Sequence, residues 1–270
     1  MRRKLLAMDL DGTAVCDDYS MGKLSREAIA RARALGHIIA FVSGRRDIDM
    51  LTMGEEQWGV DYHILNTGGK ILRCHDKNIL YNKLITPEVC KSLITYCLNQ
   101  GLQLQICSGL TWQVTCMTEE TMEYAKDVGV IPEIIGSLNE TDWQNGLEGF
   151  MATRDWDGVA EYIDAFLPQV YYVNSEPGCI DIMAAGISKW EGIQILAEHL
   201  GIRHEDIITA GNYYNDIDML QHAAVGIAVA NSLEPVKAEA DYITENDNNH
   251  DAVAEIISKM LDHKFDIPLS

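Results

Sequence analysis

A ten-residue stretch near the start, Lys4 to Thr13 (KLLAMDLDGT), constrains this chain more than any other. An apolar run ends abruptly at two carboxylates, Asp9 and Asp11, and a glycine turn follows. The run reads as a buried strand, and the turn then holds two negative charges close together. Such a pair is unfavourable unless a cation, a proton or a reacting group sits between the carboxylates. The loop is therefore the expected reaction centre, and later segments must converge on it.

The segments that follow alternate in type. Ser25 to Leu35 carries apolar residues at helical spacing, with Ser25 as the expected N-cap and Gly36 as the stop. His37 to Val42 is a second buried strand, and a helix is expected to start at Ser43-Gly44-Arg45. Tyr62 to Leu65 is a third strand, leading into Asn66-Thr67-Gly68-Gly69. Continuous apolar strands separated by helices predict an α/β fold with a doubly wound, mainly parallel Rossmann-like sheet.

Between residues 84 and 183 the texture changes. Pro87 opens a helix, and Leu102 to Cys107 and Thr111 to Cys116 then alternate apolar with polar residues, as half-exposed antiparallel strands do. Strands over 147–153, 170–174 and 179–183 and a helix over 157–166 complete an α+β module. The predicted organisation is a core of residues 1–83 and 184–270 with an inserted α+β domain at 84–183. After the insert, Ser188 caps a helix opening at Lys189, and Ile207 to Ala210 is a strand running into Gly211-Asn212-Tyr213-Tyr214-Asn215-Asp216.

Charge narrows the function. With 21 Lys plus Arg against 41 Asp plus Glu, the net charge is −20. So acidic a surface repels phosphate backbones and anionic lipid, which argues against nucleic acid and membrane partners. The seven cysteines include no C-x-x-C pair. They predict reduced thiols in a cytoplasmic protein, with Cys90, Cys97 and Cys107 as core residues. The apolar run after Met1-Arg2-Arg3-Lys4 is too short for a signal peptide.

Four polar clusters fall at the carboxyl ends of strands or at a helix N-terminus: Asp9/Asp11, Ser43, Lys189 and Asn212/Asn215/Asp216. In open parallel sheets, ligands bind at those carboxyl ends. Any one cluster alone is ordinarily a turn, a helix cap or a surface charge. Their joint order and placement are what point to one site.

Asp9-Leu10-Asp11-Gly12-Thr13, Ser43-Gly44-Arg45, Ser188-Lys189 and Gly211-x-x-x-Asn215-Asp216 resemble the four ordered motifs of the haloacid dehalogenase superfamily. The large insert after the second motif, and a fourth motif ending at Met219, resemble its Cof-like sugar-phosphatase branch. The resemblance implies a Mg²⁺-dependent hydrolase of small phosphorylated metabolites, with the insert as a cap. It implies Asp9 as nucleophile, forming an aspartyl phosphate, and Asp11 as general acid and base. Lys189, Ser43, the Gly44 amide, Asn215 and Asp11 would contact the substrate and its phosphoryl group. Asp9, the Asp11 carbonyl, Asn212 and Asp216 would hold Mg²⁺. To donate a proton, Asp11 needs a raised pKa. Trp112, Trp143 and Arg154 are conceivable specificity contacts, and Arg45 either meets the phosphate or pairs with a surface acid.

One residue departs from the pattern. The family usually has Asp where this chain has Asn212, so the site lacks one carboxylate beside the metal. Losing it costs about 1–4 kcal/mol of metal binding at an effective dielectric near 20. This opens a second reading, a catalytically reduced protein that binds a phosphometabolite as a sensor. A phosphomutase, which shares the nucleophile, is a third.

Overall fold

The computed structural model describes residues 2–51, 53, 58–153, 156–176 and 178–266. The chain divides into two compact units, one of Met1–Ser43, Met53–Tyr81 and Ser188–Ser270, the other of Gly44–Thr52 and Asn82–Ile187.

The first unit opens with β1 (Leu5–Asp9), α1 (Lys23–Ala34) and β2 (Ile38–Val42). Helix α1 begins two residues before the expected cap. Ser25 lies inside its first turn, and both the Ser25 amide and hydroxyl donate to Asp251 Oδ1, at 2.9 and 2.8 Å. The orphan donors of this helix end are thus satisfied by a carboxylate distant in sequence. After β2 the helix expected at Ser43 is only the short α2 (Asp47–Met50), which belongs to the second unit. Strand β3 (Tyr62–Leu65) follows, then β4 (Lys70–Arg73) and β5 (Asn78–Asn82). β4 runs antiparallel to β3.

The second unit continues with α3 (Pro87–Gln100), β6 (Gln105–Ser108), β7 (Thr111–Val114), α4 (Glu119–Val128) and β8 (Glu133–Ile134). It ends with β9 (Gly149–Thr153), α5 (Asp157–Phe166), β10 (Val170–Glu176) and β11 (Cys179–Ala184). Its six strands lie in the order β10-β11-β9-β6-β7-β8. The pairs are antiparallel except β7 with β8. Cys90 and Cys97 sit in its core with Leu93, Ile94, Phe150 and Ile180. Burial pushes both thiols up to about 12, so they are inert apolar filler. Trp112 is buried and its indole donates to Gln105 Oε1 at 2.8 Å, and Trp143 packs against the core. Arg154 lies outside the described residues.

The chain then returns to the first unit through α6 (Lys189–Leu200), β12 (Ile207–Gly211), α7 (Ile217–His222), β13 (Val225–Ala228), α8 (Glu234–Ala238), β14 (Tyr242–Ile243) and α9 (Ala252–Leu261). The eight strands of this unit lie in the order β14-β13-β12-β1-β2-β3-β4-β5. From β14 to β3 every neighbouring pair is parallel. Both alternating sets of β1 side chains, Leu5/Ala7 and Leu6/Met8, are fully buried. A parallel sheet covered on both faces reads in sequence as continuous apolar runs for this reason. Leu5, Ala7 and Ile64 pack with Trp190, Ile193 and Leu196 of α6. Each such Leu or Ile side chain withdrawn from water stabilises by about 1.5–3 kcal/mol, enough to seat the helix firmly.

The sheet order locates the site. From β1 the chain builds outward to β2 and β3, then returns to build β12, β13 and β14 on the other side. The direction reverses between β1 and β12, and ligands of doubly wound sheets bind outside the carboxyl ends at such a point.

Candidate active site

Asp9 is the last residue of β1, 6% exposed. On one side it pairs in register with Val42, so buried Ser43 emerges beside it from β2. On the other, Met8 pairs with Ala210, so the loop after Gly211 emerges beside it from β12. Ser43 is pinned at its main chain, its amide donating to the Ile64 carbonyl at 2.8 Å and its carbonyl accepting from Thr67 N at 3.0 Å. Asn66 and Thr67 hold φ of 51° and 56°. For β-branched Thr67 that conformation is strained, and the surrounding loop must enforce it.

Lys189 reaches the site from the start of α6. Ser188 caps that helix by accepting from Glu191 N at 3.1 Å. Gly192 lets the helix approach the loop after β3: a Cβ there would fall 2.7 Å from Ile64 Cγ2 and 2.8 Å from Gly68 Cα. The Lys189 side chain is 1% exposed, and its Nζ donates to Asp9 Oδ1 and Asp216 Oδ1, both at 2.6 Å. Asp216, wholly buried, accepts on Oδ2 from the Asn212 and Tyr213 amides at 2.8 and 2.9 Å. One carboxylate therefore orients the cation and holds the turn after β12.

Charge does not balance here. Two carboxylates flank one buried ammonium. Burial works against a charged Lys189, but the charges of Asp216 and Asp9 outweigh it and hold its pKa above the ordinary lysine value. Asp9 shifts the other way from a salt-bridged acid. Burial, then the Asp216 charge, push it up to about 7, and Lys189 recovers only part of the shift. Asp9 is the carboxyl whose proton affinity this environment raises.

Asn212 completes the cluster. Its Oδ1 accepts from the Thr13 hydroxyl at 3.0 Å and faces the Asp11 carbonyl and Asp9 Oδ2. Three oxygens suited to a hard divalent ion, Asn212 Oδ1, Asp9 Oδ2 and the Asp11 carbonyl, thus converge on one point beside surplus negative charge. This donor set fits Mg²⁺.

The structure brings Asp9, Asp11, Lys189, Asn212 and Asp216 together, with Ser43 adjacent by register. Asn215 is exposed on the turn Tyr214–Asp216. Gly44 and Arg45 group with the second unit. Residues assigned no role from the sequence support the same loops. Thr13 hydrogen-bonds Asn212, Asn231 Nδ2 donates to the Gly12 carbonyl at 2.8 Å, and Ser232 Oγ donates to the Gly211 carbonyl at 3.1 Å. The signals for the last two were their place just beyond a strand's carboxyl end and the family resemblance of the loop from Ala228 to Ser232.

A family model for haloacid dehalogenase-like hydrolases matches residues 6–257. The chain belongs to that family. It is 26% identical over 263 residues to the 5-amino-6-(5-phospho-D-ribitylamino)uracil phosphatase YcsE of Bacillus subtilis, covering 94% of each chain. A haloacid dehalogenase-like hydrolase from Bacteroides thetaiotaomicron superposes with a TM-score of 0.84 at 24% identity, covering 96% of this chain and 100% of that one. A solved subclass IIB sugar phosphatase of the superfamily has a TM-score of 0.78 at 25% identity, covering 95% and 98%. Among the described residues, no helix is long and apolar enough to cross a membrane.

Proposed function

We propose that this protein hydrolyses phosphomonoesters of small metabolites, sugar phosphates or phosphorylated polyols, with Mg²⁺ as cofactor and in the cytoplasm. The observation that carries the reading is the buried Asp9–Lys189–Asp216 triad at the point where the sheet order reverses. The ribityl-phosphate and sugar-phosphate activities named for two relatives support the substrate class.

In this reading the Asp9 carboxylate attacks phosphorus and the ester P–O bond breaks, leaving an aspartyl phosphate. Asp11 gives a proton to the departing alkoxide. Asp11 then takes a proton from water as that water attacks phosphorus, releasing phosphate and restoring Asp9. Lys189 stabilises the charge on the transferring group, Ser43 and the Gly44 amide hold its oxygens, and Asn215 contacts substrate. The insert is the cap, and it supplies specificity. Asp9, the Asp11 carbonyl and Asn212 would hold Mg²⁺, with Asp216 fixing the Asn212 main chain and serving as a further ligand. When bound, the metal neutralises phosphoryl charge and positions Asp9.

The test is release of inorganic phosphate from p-nitrophenyl phosphate and from a panel of phosphorylated sugars, with Mg²⁺ and with EDTA. Expected are Mg²⁺-dependent turnover and a loss of at least about a thousandfold in Asp9→Asn. Asn212, where the family usually has Asp, favours one other reading, a binding protein of reduced activity. Thermal stabilisation by a sugar phosphate without any turnover would establish that reading instead.

A further inference from the structure

We propose that Asn231 and Asn248 act as a linked pair that positions Asp11 for proton transfer, an inference that rests on the phosphatase reading. The loop carrying Asp11 leaves the carboxyl end of β1. Its inner side closes on itself, with the Ala14 and Val15 amides donating to the Leu10 carbonyl at 3.0 and 3.1 Å. Its outer side is held from elsewhere in the sheet. Asn231 follows β13 and Asn248 follows β14, strands that lie two and three places from β1. Asn231 Nδ2 donates to the Gly12 carbonyl at 2.8 Å. Asn248, 6% exposed, donates through Nδ2 to the Val15 carbonyl at 3.1 Å and to Asp17 Oδ1 at 2.9 Å. The two asparagines are joined, because Asn231 Oδ1 accepts from the Asn248 main-chain amide at 3.2 Å. Asn248 Oδ1 accepts from Asn249 Nδ2 at 3.4 Å. Each side-chain nitrogen thus meets acceptors and each oxygen a donor, so the partners dictate both orientations.

This hold falls on either side of Asp11. The Leu10 carbonyl before it is tied by the loop's own amides, and the Gly12 carbonyl after it by Asn231. Gly12, at φ +70°, is the loop's freest point, and the bond to its carbonyl removes that freedom. A main chain fixed on both sides sets the direction in which the Asp11 side chain departs. Proton transfer requires that direction, because the acid must come within hydrogen-bond reach of the leaving oxygen. Asn231 and Asn248 act through Asp11 and are positioning residues. A tie that only stabilised the fold would slow all substrates alike.

The test compares the natural chain with Asn231→Ala, Asn248→Ala and, as a control, Asn249→Ala. The Asn249 side chain meets Asp17 and Asn248 but no carbonyl of the loop. Hydrogen exchange of the Ala14 and Val15 amides, read without substrate, should quicken at least about tenfold in the first two variants and not in the control. The second readout is kcat/KM, which covers the steps through departure of the leaving alcohol. A nitrophenolate leaves with little help from an acid, whereas a sugar alkoxide needs the proton. In Asn231→Ala and Asn248→Ala, kcat/KM should fall at least about tenfold more for the fastest phosphorylated sugar of the panel than for p-nitrophenyl phosphate, with the same bias as in Asp11→Asn. Asn231 is exposed, so its variant carries the test if Asn248→Ala does not fold. Unchanged exchange, or equal losses for the two esters, would overturn the inference and leave the phosphatase reading standing. Absence of phosphate release from every sugar phosphate by the natural chain would refute that reading and the positioning role with it.

Discussion

The Lys189 cluster of the first unit and the Arg46 cluster of the second are both buried and are built on opposite rules. In the second unit Arg46, 8% exposed, holds Asp49 through Nε and Nη2, each at 3.0 Å. The Tyr124 hydroxyl adds a bond to Asp49 Oδ1 at 2.8 Å, and Nη1 donates to Cys107 Sγ at 2.6 Å. The guanidinium lies 5.6 Å from the Trp112 and Tyr124 ring centroids. The Arg46 charge meets the Asp49 charge in a forked geometry, beside aromatic faces. Burial alone would raise Asp49, but Arg46 more than compensates and holds it below the ordinary carboxylate range. In the first unit two carboxylates share one ammonium, and Asp9 rises to about 7. A balanced cluster holds structure together. In the proposed reading an unbalanced one is where a cation or a phosphoryl group is accepted, because its burial raises a carboxyl's proton affinity instead of lowering it.

The largest expected effect breaks the balanced cluster. Arg46→Met leaves Asp49 buried without its partner and should cost about 3–5 kcal/mol in urea unfolding. A loss below about 1 kcal/mol would show that the pair is as idle as a surface ion pair.

The next sharpens the contrast through pH. For Asp49 the folded pKa is depressed, so its contribution is present above the unfolded value near 3.8 and fades as pH falls through the lower folded one. For Asp9 the folded pKa is raised, so the metal-free fold binds a proton that the unfolded chain has released. Its contribution is present below 3.8 and is lost as pH rises toward about 7. In EDTA, replacing Asp9 by Asn should therefore flatten the stability profile between pH 4 and 7. Replacing Asp49 by Asn should alter it only on the acid side. Profiles of the same sign for both variants would dissolve the distinction.

The smallest effect concerns backbone strain beside the unbalanced site. Thr67→Gly removes the cost of a left-handed β-branched residue and should stabilise the chain by about 1 kcal/mol in urea unfolding. It should also loosen the hydrogen bond that pins the Ser43 carbonyl, seen as a raised KM for p-nitrophenyl phosphate.

Much of the site was legible because its residues occupy positions with simple rules. Asp9, Ser43 and Asn212 stand at strand carboxyl ends, and Lys189 opens a capped helix. The edge pair β4 and β5, and helix α4 in the insert, were not read. Their patterns are short and polar, and tertiary packing decides such segments. Ser25 looked like a helix cap, yet the working carboxylate is Asp251, more than 200 residues away, which no local pattern reveals.

The amino-acid order by itself determined which strands are buried on both faces and which polar residues lie at their ends, because a period of hydrophobicity and a turn are local properties. Only the tertiary structure decided how charge is shared among those residues. It gave the raised proton affinity to Asp9, tied Asp216 to Lys189 and the turn, and set the Asn212 side-chain oxygen against Asp9 and Asp11. Coulomb energy and burial depend on distances through space, and those are fixed only when β1, β12 and α6 have packed.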